Sequence, residues 1–120
     1  MTPTEAQETE WLFQWAALSC GKHPELKLMY HIPNEGKRSP TAAAKLKAQG
    51  LKTGVPDICL PVARGGFHAL YIEMKRTSGG KVSADQKRWI EKLTEAGNMA
   101  VVCKGFEGAK DVIVKYLIEM

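Results

Sequence analysis

At 120 residues the chain has room for one domain with one core, residues 1–120, and nothing along it marks a second. The 17 basic side chains outnumber the 13 acidic ones for a formal charge of +4, an excess that permits nucleic-acid binding without establishing it. Three scattered cysteines, Cys20, Cys59 and Cys103, argue against a disulfide scaffold and offer no zinc pattern, and no apolar run approaches the length of a membrane span.

The charge is unevenly distributed. Residues 37–52 hold Lys37, Arg38, Lys45, Lys47 and Lys52 with no acid among them, whereas the first ten hold Glu5, Glu8 and Glu10 with no base. That acidic opening lacks the basic region of a secretory leader, so we expect a soluble intracellular protein. Residues 4–19 read as a helix capped by Thr4, with Leu12, Trp15, Ala16 and Ser19 recurring at helical spacing. Glu8 lies four residues before Leu12 and so points toward the inward face. A carboxylate there has to be paired, bound to metal, or at the rim of the core. Glu5, one turn earlier, offers the competing register.

Lys27 to Ile32 is short and apolar enough for a strand, ended by Pro33-Asn34-Glu35-Gly36. His31 stands just before that turn, where a lone histidine is more often structural than functional. Asn34, Lys37 and Arg38 can present donors to a phosphate from the turn. Ser39-Pro40 opens a helix that runs to about Gln49 and is closed by Gly50. Its alanines would let it approach the sheet or a partner closely.

Two short strands follow, Pro56 to Leu60 and Leu70 to Lys75, with Gly65-Gly66 a plausible reversal between them. Alternation puts Tyr71, Glu73 and Lys75 on one face of the second strand and Leu70, Ile72 and Met74 on the other. If the hairpin brings Asp57 beside Glu73, two carboxylates and an ammonium converge. Like charges so close repel unless something positive sits between them, and oxygen ligands suit a hard cation such as Mg²⁺ or Mn²⁺. Such a centre fits phosphodiester hydrolysis; the plainer reading is a cross-strand surface pair of little energetic consequence.

Thr77 to Lys81 is a glycine-containing basic connection in which Lys81 could meet a phosphate backbone. In the helix 83–96, Ser83 and Gln86 form a capping box, and Trp89, Ile90 and Leu93 form a stripe expected to be buried. Gln86 faces inward near the helix start, within reach of Glu73 and Lys75. Met99 to Cys103 is unbroken in its apolar character and reads as a central strand. Phe106 to Leu117 reads as a helix packing Ala109, Val112, Ile113, Tyr116 and Leu117 inward. The order of elements predicts an α/β fold, a mixed sheet covered by helices.

The succession Gly54-Val55-Pro56-Asp57 and Ile72-Glu73-Met74-Lys75, with the run from Gly50 to Gln86, resembles the PD-(D/E)xK nucleases and, within them, the VRR-NUC family. The resemblance extends from the helix near Glu8, through Ile32 to Arg38, to Ala100-Val101-Val102-Cys103. It implies a restriction-endonuclease-like fold, with a mixed central sheet flanked by helices, and metal-dependent DNA cleavage. It places Asp57, Glu73 and Lys75 in the catalytic motif and Gln86 at the following helical glutamine. An acidic residue of the first helix would complete the metal-binding set, Glu8 in the register taken here, with Glu5 and Glu10 offering the other two. The small stand-alone phage and bacterial members imply a homodimer resolving four-way DNA junctions in the cytoplasm of a bacterium or phage-infected host. The alternatives are a flap- or nick-directed nuclease, a non-catalytic nucleic-acid-binding domain and a small interaction domain.

Overall fold

The computed structural model describes residues 2–33 and 38–120, so the expectations placed on Asn34 and Lys37 lie outside the described residues. Four helices and four strands follow in the order α1 (Glu5–Ser19), β1 (Tyr30–His31), α2 (Pro40–Ala48), β2 (Ile58–Leu60), β3 (Leu70–Lys75), α3 (Ala84–Glu95), β4 (Met99–Lys104) and α4 (Gly105–Glu119). The strands make one sheet in the order β1-β2-β3-β4. β1, β2 and β3 pair antiparallel, whereas β3 and β4, joined through α3, run parallel. This is the expected α/β architecture, a mixed sheet flanked by helices.

Capping explains where the helices begin. Thr4 with Gln7, and Ser83 with Gln86, each satisfy two backbone donors that α1 and α3 would otherwise leave unpaired. Alternation explains the sheet. Ile58 pairs with Ile72 and Leu60 with Leu70, so both strands turn apolar side chains to one face, where they join Met74 and Cys103. Leu12 and Ala16 of α1 and Ala109, Ile113 and Tyr116 of α4 close that face, all 3% exposed or less. Burial pushes the Cys103 thiol up to about 11, which keeps it an inert packing group.

Between β2 and β3 the chain reverses at Gly65-Gly66. Both glycines have positive φ, and Arg64 and Phe67 exchange backbone hydrogen bonds across them.

Three expectations are corrected. The strand expected over Lys27 to Ile32 is a 3₁₀ turn, Pro24–Leu28, followed by the two residues of β1. Leu26, Leu28, Tyr30 and Ile32 alternate in sequence as a strand would, but Pro24 starts a turn that buries Leu26 and Met29 at its three-residue period and leaves Leu28 and Tyr30 exposed. β4 lies at the sheet edge rather than its centre. Its unbroken apolar character reflects helices α3 and α4, which pack against it, while Val102 stays partly open. The stripe of α3 is only half-buried at Trp89, Ile90 and Leu93. Trp89 sits there with its indole N–H donating to the Thr53 carbonyl at 2.9 Å. The alanine-rich α2 buries none of its residues.

Candidate active site

Asp57 stands where the β2 ladder ends. Its backbone carbonyl accepts from Ile32 N–H, and its Oδ2 accepts from Met74 N–H at 2.7 Å. The side chain thus takes up a β3 amide beyond the last paired residue of β2, and this holds the carboxylate against β3.

Glu73, from the middle of β3, is 2% exposed. Its Oε2 accepts from Gln86 Nε2 at 3.2 Å and lies 3.5 Å from Lys75 Nζ. Its Oε1 is buried with no partner among the described residues. Burial, then the neighbouring Asp57 carboxylate, push the Glu73 carboxyl up to about 8, against the opposing pull of Lys75. A carboxylate so placed holds a proton at neutral pH unless another positive charge replaces it.

Lys75 shares the face of Glu73 by alternation, and its side chain is 8% exposed. A Cβ added at Gly80 would lie 3.1 Å from the Lys75 Cβ, so the loop after β3 packs on the lysine stem. Gly80 therefore confines Lys75, a role its sequence did not announce.

Gln86 serves two functions with its two side-chain atoms. Oε1 accepts from Ser83 N–H at 2.9 Å, closing the capping box, and this turns Nε2 toward Glu73.

The third carboxylate is Glu5. Oxygens of Glu5, Asp57 and Glu73 all lie within 4.8 Å of one another. Glu8, the register the helical pattern favoured, is not part of this cluster. Its Oε1 accepts from Phe106 N–H at 3.0 Å and its Oε2 from the Thr77 hydroxyl at 3.3 Å, at the start of α4. The reason is depth. Glu8 continues the stripe of Leu12 and Ala16 and so is buried, 6% exposed, whereas Glu5 lies one turn further out at the rim where the strand ends open. Glu10 lines a groove of about 540 Å³ with Glu5, Thr9, Phe13, His31 and Asp57, but stays outside the cluster. Arg38 and Lys81 are exposed.

The VRR-NUC family model matches residues 4–107. The chain belongs to the VRR-NUC family. A solved structure described as a VRR-NUC domain protein matches it with a TM-score of 0.80 and 31% sequence identity, covering 97% of this chain and 89% of that one. Among curated proteins, none matches the chain. Membership makes this VRR-NUC chain a nuclease of the PD-(D/E)xK type, with DNA as substrate. The motif falls on Pro56-Asp57 and on Glu73-Met74-Lys75. Members of this class generally use divalent metals. The residues present fit one: three converging carboxylates and an unpartnered buried Glu73 oxygen form an oxygen-rich, anionic set of the kind that suits a hard cation. Among the described residues, no helix is long and apolar enough to cross a membrane.

Proposed function

We propose that this VRR-NUC nuclease is a Mg²⁺- or Mn²⁺-dependent endonuclease of branched DNA, cutting four-way junctions as a homodimer. The observation that carries the reading is the unpartnered Glu73 oxygen within a cluster shared with Asp57 and Glu5, beside the buried ammonium of Lys75. Asp57, Glu73 and Glu5 would hold the cation. When bound, it would neutralise charge on the phosphate oxygens and make water a better nucleophile at neutral pH. Lys75 would hold positive charge where the phosphate becomes more negative and orient the attacking water. Gln86 fixes the orientation of Glu73. The exposed Arg38, Lys45, Lys47, Lys52 and Lys81 suit contacts to phosphates that position the duplex.

Four-way junctions need two cuts in opposed strands, and one chain of this size carries one such centre; a two-fold dimer would supply the second. The apolar face of α4 is used in the chain's own core, whereas α2, whose alanines could approach a partner closely, buries none of its residues.

Cleavage of linear, nicked, flap and four-way-junction DNA with Mg²⁺, Mn²⁺ or EDTA tests the reading. Paired symmetric nicks in the junction are expected with either metal, and none with EDTA. Asp57→Ala and Glu73→Ala should each abolish most cleavage while DNA binding persists, and Lys75→Ala should slow it by about 10²- to 10⁴-fold. Full activity in Asp57→Ala or Glu73→Ala would place the chemistry elsewhere. Single cuts at flaps or nicks alone would leave a nuclease of different specificity.

A further inference from the structure

Among residues 5–11 of α1, Glu8 is the one that is buried, so it anchors the first two turns of the helix to the rest of the fold. Both of its oxygens are engaged, by two different elements. Phe106 N–H lies in the first turn of α4, whose own cap residue, Lys104, supplies no side-chain bond. The carboxylate of another helix therefore satisfies an amide that α4 leaves unpaired, and its negative charge is favoured at that end of the helix dipole. Thr77, the second donor, lies two residues beyond Lys75 at the end of β3. The approach is close. Gly105 has φ +73, and an added Cβ there would lie 2.9 Å from Glu8 Oε2.

Glu5 sits three residues before Glu8 on the same helical face, about 4.5 Å along the axis. Its own surroundings fix it weakly: Glu5, Ala6 and Gln7 are all exposed. The position of its carboxylate relative to Asp57 and Glu73 thus depends on where Glu8 pins the helix.

We infer that Glu8 is a positioning residue that, by tying α1 to α4 and to the end of β3, sets the reach of Glu5 into the carboxylate cluster and so the cluster's affinity for a divalent cation. The inference rests on the metal-dependent reading above.

Calorimetric titration of Mn²⁺ into folded wild type, Glu5→Ala, Glu8→Ala and the double variant tests it. Glu8→Ala should weaken Mn²⁺ binding about 10-fold or more, as loss of a residue orienting a metal ligand does. Glu5→Ala should do the same, and the double variant should bind no more weakly than Glu5→Ala alone, because the two act through one carboxylate. Glu8→Gln can still accept from Phe106 N–H and donate to the Thr77 hydroxyl, so it should bind within about threefold of wild type. Three results overturn the inference: wild-type affinity in Glu8→Ala despite a lowered Tm, losses that add in the double variant, or Glu8→Gln as weak as Glu8→Ala, which would put the Glu8 charge itself at the metal. Should Glu8→Ala not fold, Thr77→Val removes one of the two ties. It should weaken binding severalfold, and wild-type affinity there counts against the inference. A wild-type protein that binds no Mn²⁺ refutes the metal-dependent reading and the inference together; binding that is indifferent to Glu8 refutes the inference alone.

Discussion

Glu73 couples the chemistry of the site to the stability of the chain. Its carboxyl is raised from 4.5 in the unfolded reference to about 8 in the fold. Between those values the folded state binds more protons than the unfolded one, so the stability this group contributes is fully present below about 4.5 and is lost as pH rises through about 8. The metal-free protein should therefore lose stability over that window, with a slope from this group no steeper than about 1.4 kcal/mol per pH unit. Denaturant unfolding at a series of pH values should show the loss, Glu73→Gln should flatten it, and Mn²⁺ should offset it by replacing the proton. A profile identical in wild type and Glu73→Gln would show that Glu73 ionises normally. This behaviour was not legible in the sequence: alternation placed Glu73 beside Lys75, which alone would lower its pKa, and only the depth of burial and the approach of Asp57 reverse the sign.

At the level of elements, α3 both caps its own start and reaches into the carboxylate cluster. Its capping box is complete, and the same Gln86 that closes it donates to Glu73. Two substitutions separate the roles. Ser83→Ala removes one cap bond and should cost about 1 kcal/mol of stability, leaving cleavage by the folded protein close to wild type. Gln86→Ala removes the cap partner and the hydrogen bond to Glu73, and should slow cleavage as well as lower stability. If Ser83→Ala slows cleavage as much as Gln86→Ala, the glutamine acts only by holding the helix start. The turn before β2 shows similar economy of space: Gly54, at φ +88, lies so close to α3 that an added Cβ would meet the Asp85 backbone at 2.7 Å. That contact seats the segment leading into Asp57 against the helix carrying Gln86.

For the whole molecule the distribution of surfaces bears on assembly. α1 and α4 cover one face of the sheet, while α2 buries none of its residues. A helix that contributes no buried residue to its own core has its small side chains available to a partner, as a two-fold junction-cutting dimer requires. Analytical ultracentrifugation should find a species near twice the 13.2 kDa chain mass, and replacing Ala44 with Glu should shift it toward the single chain without unfolding it. A monomer both free and bound to a junction would rule out paired cutting by a dimer and leave the nuclease in place.

The sequence by itself determined the features whose causes are local. Thr4 with Gln7 and Ser83 with Gln86 mark helix starts because a cap needs only four consecutive residues. The β3 alternation puts Glu73 and Lys75 on one face because the period of a strand is two. It could not decide between Glu5 and Glu8. Both lie on one stripe of α1, and helical periodicity gives a direction but no depth. The choice was made by a hydrogen bond spanning 98 residues, from Phe106 N–H to Glu8, and by Asp57 and Glu73 arriving beside Glu5 from two other elements. The edge position of β4 was likewise invisible, because a strand lined by helices on both faces is apolar throughout whether or not another strand pairs beside it.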